Sequence, residues 1–153
     1  MINKKIIIIA EAGINHNGNI KQALKMVDLA SEAKADYVKF QTFDPDAVTS
    51  SNLGLTDYQK IGSNSKTHLK LLESLKLSQK DFERIIKRCK KKKIKFLSSP
   101  FDTGSIKLLN RLKVNIFKIP SGEINNIPSD NFVQGKTNFA TLYAGNKGEA
   151  IRL

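Results

Sequence analysis

The chain has 153 residues, 40% of them hydrophobic, enough for one globular domain with its own core. Its 26 lysines and arginines against 14 acids give a formal charge of +12, which favours anionic partners. A lone cysteine, Cys89, excludes an intrachain disulfide, and no apolar run reaches the length of a membrane span or a signal peptide, so a cytoplasmic location is expected.

Lys5 to Ala10 is a continuous apolar, β-branched run, the pattern of a strand buried on both faces. Asn15 to Asn19 is polar and carries Gly18, hence a loop. Asn19 and Gln22 have capping-box spacing, and Ile20, Ala23, Leu24, Val27 and Ala30 share one face of the helix that follows. That helix should end near Lys34, and Asp36 to Thr42 makes a second strand. Asp44 to Ser65 is long, polar and turn-rich, which predicts an active-site loop with a short helical piece.

Leu69, Leu72 and Leu75 mark a short helix. Ser78 caps another, whose inner face is Phe82, Ile85, Ile86 and Cys89. Ile94 to Ser99 is a third strand. Asp102 or Thr103 caps a helix bearing Ile106, Leu109 and Leu112, and Val114 to Ile119 is the fourth strand. Alternating strands and helices predict right-handed crossovers and a parallel sheet. The basic run Lys87 to Lys95 reads as the solvated C-terminal turn of a helix, where cations complement the macrodipole. No aromatics interleave with it, so nucleic acid is not expected as a partner.

Each apolar strand ends in groups able to do chemistry. The endings are Ala10-Glu11-Ala12-Gly13, Val38-Lys39-Phe40-Gln41-Thr42, Leu97-Ser98-Ser99-Pro100 and Lys118-Ile119-Pro120-Ser121-Gly122-Glu123. In parallel sheets and barrels, ligands collect at the carboxyl ends of strands. Lys39 and Lys118 are there either Schiff-base nucleophiles or fixed cations for phosphate or carboxylate. Ser99 and Ser121 add hydroxyl donors, and Gly122 lets backbone approach a ligand. Together they resemble a phosphate and carboxylate clamp. Glu11, after a run of isoleucines, would be costly in the interior without a partner or a role, and Glu123 has the same character. His16 is either an acid/base or a loop-stabilising residue, and His68 is structural or exposed. With two histidines and no close acidic cluster, no metal site of familiar spacing is present, nor a Walker loop, GxGxxG or serine triad.

At these motifs the chain closely resembles the N-terminal half of the sialic acid synthase family, which includes N-acetylneuraminate, legionaminate and pseudaminate synthases. The likeness spans roughly residues 5 to 127 and includes Asn15-His16-Asn17-Gly18 and Ile124-Asn125-Asn126. It implies an α/β fold, a partial (β/α)8 TIM barrel of about four of the eight βα units. It also implies a transferase that condenses phosphoenolpyruvate with an N-acylated aminohexose such as N-acetylmannosamine. The family uses a divalent metal, manganese or magnesium, whose ligands lie in the second barrel half, and its members are often homodimers. Carried over by motif, Lys39, Ser99, Lys118 and Ser121 bind the phosphate and carboxylate of phosphoenolpyruvate. Glu11, Gln41 and Glu123 face the sugar and the reacting water, with Glu11 or Glu123 as acid/base.

The pattern breaks after Ile127. Residues 128–153 are rich in Asn, Gly, Thr and Ser, and only 131–133 and 139–143 read as weak strands. They lack the helix and the Ser-Thr-Gly-Met strand with which the family continues. The expectation is two segments: residues 1–127 as half a barrel, and 128–153 as an irregular non-family tail of a truncated or frame-disrupted reading frame. Such a chain would be an incomplete or inactive synthase. A Schiff-base aldolase and a non-catalytic basic remnant are the competing readings.

Overall fold

Parallel strands cannot be joined by tight turns, and helix bridges each pair from the first strand to the fourth, as the apolar periodicities require. In a computed structural model of the chain, the structure describes residues 6–49 and 67–119 and the backbone of Phe139–Thr141. Their order is β1 (Ile9–Gly13), α1 (Ile20–Glu32), β2 (Tyr37–Thr42), α2 (Pro45–Val48), α3 (His68–Leu75), α4 (Gln79–Lys92), β3 (Lys95–Pro100), α5 (Thr103–Arg111), β4 (Phe117–Ile119) and β5 (Phe139–Thr141). The five strands form one sheet in chain order, every neighbouring pair parallel.

The caps follow from local chemistry. Asn19 Oδ1 accepts from the backbone N–H groups of Lys21 and Gln22, so Asn19 opens α1 without a reciprocal bond from the Gln22 side chain. Ser78 and Asp81 form the complete reciprocal box on α4, and Asp102 caps α5 through the N–H of Ser105. α4 ends at Lys93, whose φ of 56° is left-handed, an uncommon choice for a residue other than glycine.

Register divides the sheet into two faces. Glu11 pairs with Lys39, Lys39 with Leu97, and Gln41 with Ser99, so these five residues share one face. Val38, Phe40 and Phe96 lie on the other, where they meet the helices. There Phe40 and Phe96 stack at 5.9 Å, and Phe82 of α4 meets Phe96 edge-on at 6.3 Å. Val27, Phe40, Ile85 and Cys89 are the centre of this core, and Ile106, Leu109 and Phe117 make a smaller one under α5. Each such side chain contributes about 1.5–3 kcal/mol by leaving water.

The basic run is more than a solvated turn. Arg88 Nε donates to Asp28 Oδ1 at 2.7 Å, its guanidinium also reaches Oδ2, and Lys92 lies 3.5 Å from the same carboxylate. α1 and α4 are thereby tied together. The Arg88 hydrogen bond holds the Asp28 carboxyl below its usual range, against the opposing effect of burial.

The first and fourth strands start later than expected, at Ile9 and Phe117 instead of Lys5 and Val114. The first runs to Gly13, and Ile6 and Ile8 are 68% and 57% exposed. β1 has β2 on one side and, among the described residues, no strand on the other, and the run patterned for two-sided burial is at most half-buried at Ile7, Ile9 and Ala10. In the stretch that read as a weak strand, Phe139–Thr141 pairs with Phe117–Ile119 in parallel register. The rest of residues 120–153 lies outside the described residues.

Candidate active site

The candidate groups gather on one face of the sheet, spread across β1 to β4. Lys39, in the middle of β2, is 5% exposed, and such a cation requires a partner. It has two: Glu11 Oε2 at 2.8 Å on β1, and Ser99 Oγ at 3.4 Å, to which its ammonium donates. Glu11 is the solvent-facing end of this bridge, its side chain 56% exposed. Lys118 on β4 stands near enough to feel both. Burial lowers its pKa from the ordinary lysine value, the Lys39 cation lowers it further, and the Glu11 carboxylate opposes them. Two cations therefore face one carboxylate, an arrangement relieved by a bound anion.

The backbone is shaped around this cluster. The β1–β2 register slips between Glu11 and Gly13, and Gly13 has φ +53°. A Cβ on Gly13 would lie 3.3 Å from Glu11 Oε1 and 3.9 Å from Gln41 Nε2. The glycine thus lets β1 turn away while Glu11 and Gln41 stay close beside it. On the opposite face, Thr42 and Ser98 hydroxyls meet at 2.7 Å and Ser98 donates to the Phe40 carbonyl, which pins β2 to β3 beneath the site.

Of the residues singled out from sequence, Glu11, Lys39, Ser99 and Lys118 come together, and Gln41 sits beside them. Ser121 and Glu123 lie outside the described residues. His16 is not in the cluster. It is 1% exposed, packs on Phe40 at 6.0 Å, and its Nδ1 accepts from the Gly18 N–H, so it stabilises its loop. Burial lowers its pKa, which keeps it neutral. His68 Nδ1 is 2.9 Å from Thr49 Oγ1. Sequence reasoning assigned no task to Gly13, Thr42 or Ser98. A glycine two residues after a strand-borne acid was the available signal for the first, whereas the Thr42–Ser98 pair depends on β2–β3 register.

Among the described residues no three His, Cys, Asp or Glu side chains gather as a metal site would require.

An acid, two lysines and a serine thus lie on adjacent strands of a parallel α/β sheet, the kind of sheet in which ligands collect at strand ends. The NeuB family model matches residues 26–138, and the chain belongs to the NeuB family. It is 45% identical over 126 residues to N,N'-diacetyllegionaminic acid synthase of Campylobacter jejuni, covering 82% of this chain and 38% of that protein. It is 35% identical over 133 residues to pseudaminic acid synthase of the same species, covering 86% of this chain and 38% of that one. Among solved structures, N-acetylneuraminic acid synthetase of Leptospira borgpetersenii superposes with a TM-score of 0.71 at 31% identity, covering 93% of this chain and 47% of that one. The chain therefore spans less than half the length of these relatives, and the fold is the corresponding part of their barrel. Among the described residues no helix is long and apolar enough to cross a membrane.

Proposed function

We propose that this chain carries the phosphoenolpyruvate-binding part of a nonulosonic acid synthase. The observation that supports this reading is the convergence of Lys39, Lys118 and Ser99 around a single exposed carboxylate. Two ammonium groups and a hydroxyl suit the phosphate and carboxylate of phosphoenolpyruvate, and Ser121 would add a further donor. In the overall reaction, C3 of phosphoenolpyruvate attacks the aldehyde carbon of an open-chain N-acylated aminohexose, and the aldehyde oxygen takes up a proton. Water adds at C2 with loss of a proton, and the C2–O bond to phosphate breaks. The products are the nonulosonic acid and inorganic phosphate.

Glu11, with Gln41 beside it, faces the side from which sugar and water would arrive. It or Glu123 would receive the proton of the attacking water. The matched region is under half of each relative, so full turnover is proposed only for a protein that contains the remaining part.

One observation favours a second reading. Burial and a neighbouring cation lower the pKa of Lys118, as in lysines that form imines with carbonyl substrates. Borohydride trapping with pyruvate separates the two. The synthase chemistry passes through no imine, so mass spectrometry should find Lys39 and Lys118 unmodified, while calorimetry finds binding of phosphoenolpyruvate. A pyruvate adduct reduced onto Lys118 would overturn the synthase reading in favour of the aldolase.

A further inference from the structure

At the other end of β3, away from the lysine cluster, a groove of about 330 Å³ lies between α4, the start of β3 and the segment after α5. That is at the small end of the range for small-molecule sites, about 300–1,000 Å³. α4 contributes Ile86 and Cys89 to the floor, β3 contributes Phe96, and the segment after α5 contributes Leu112 and Val114. Burial pushes the Cys89 thiol up to about 12, so the floor stays uncharged at neutral pH.

The rim is cationic. Lys90, in the last turn of α4, and Lys113, at a left-handed φ of 57° just past α5, both line the opening and are exposed. Neither has an ion-pair partner among the described residues, whereas Arg88 and Lys92 on the same helix are committed to Asp28. Lys95, also on the rim, lies 5.2 Å over the Tyr37 ring.

We propose that this groove binds a small amphipathic anion from solution, its apolar chain on Phe96 and Leu112 and its acid group between Lys90 and Lys113. An uncharged apolar floor gives such a ligand its hydrophobic contact, and the unneutralised rim selects a carboxylate over a neutral or cationic head. The groove is separate from the strand-end cluster, so this binding is independent of the phosphoenolpyruvate reading.

The test is calorimetric titration of the full chain with dodecanoate, with dodecyltrimethylammonium as the cationic counterpart. Saturable one-to-one binding of dodecanoate alone is expected. Lys90→Glu/Lys113→Glu should weaken it about tenfold or more, since two rim charges are reversed. Lys25→Glu/Lys80→Glu makes the same change in net charge at exposed positions outside the groove and should alter binding less than about twofold. These are surface substitutions, and a matched urea midpoint shows that each variant folds. Equal binding of the cationic surfactant, equal loss in both double variants, or no saturable binding would overturn the proposal.

Discussion

Replacing Lys39 with methionine separates a ligand clamp from a structural ion pair. Lys39 is 5% exposed, whereas its partner Glu11 has a side chain 56% exposed. Methionine has nearly the shape of the lysine stem and removes the cost of desolvating an ammonium. Glu11, left alone, is already largely hydrated. Stability should therefore stay within about 1 kcal/mol of the parent chain in either direction. Binding should behave differently. Losing one charge-assisted hydrogen bond to a phosphate costs about 1.5–3 kcal/mol, which is roughly 10- to 150-fold in Kd. Urea denaturation and calorimetry with phosphoenolpyruvate, run on the same preparations, read the two quantities. A Lys39→Met chain that loses several kcal/mol of stability yet binds phosphoenolpyruvate unchanged would refute the assignment of Lys39 to the substrate.

Gly13→Ala should destabilise by about 1–2 kcal/mol, because alanine resists a positive φ and its Cβ would crowd Glu11 Oε1 at 3.3 Å; an unchanged urea midpoint would show that the bulge is not constrained. Lys93→Gly should stabilise by up to about 1 kcal/mol, since glycine accepts the left-handed cap freely, and a lower thermal midpoint would contradict this. His16 has a folded pKa below its unfolded value of 6.5. The unfolded chain then binds more protons, so this stabilisation is complete above that value and is lost as pH falls below it toward the folded pKa. Urea midpoints at pH 7.5 and 5.5 should fall together with pH in the parent and less steeply in His16→Gln; identical slopes would remove His16 as the cause.

Much of the layout is legible in the sequence because it is written in local terms. Helical spacing at Ala23, Val27 and Ala30, and at Phe82, Ile85 and Cys89, marks the faces that α1 and α4 bury. The caps at Ser78 and Asp102 are equally local. Lys39, Ser99 and Lys118 stand out because a charge or hydroxyl closes an apolar run. What the sequence hides depends on register and neighbours. Whether Lys39 meets Glu11 is decided by which residues of β1 and β2 lie opposite each other. The isoleucines at 6 and 8 carry a buried pattern, but burial requires a second neighbour for β1, and periodicity is silent on that. Asp28 with Arg88 joins residues on two helices, 60 positions apart in sequence, and no single-helix pattern marks it. Which strand the short β5 pairs with is likewise a matter of register, Phe139 lying opposite Phe117.

The most direct test of the central claim is a heteronuclear NMR titration of the chain with phosphoenolpyruvate. If the strand-end cluster is the anion clamp, amide shifts should concentrate at Glu11 to Gly13, Lys39 to Gln41, Ser99 and Lys118, and should saturate. Shifts confined to the exposed lysines of α4 would mean that phosphoenolpyruvate meets only the general positive charge of the chain, and the account of the site would be wrong.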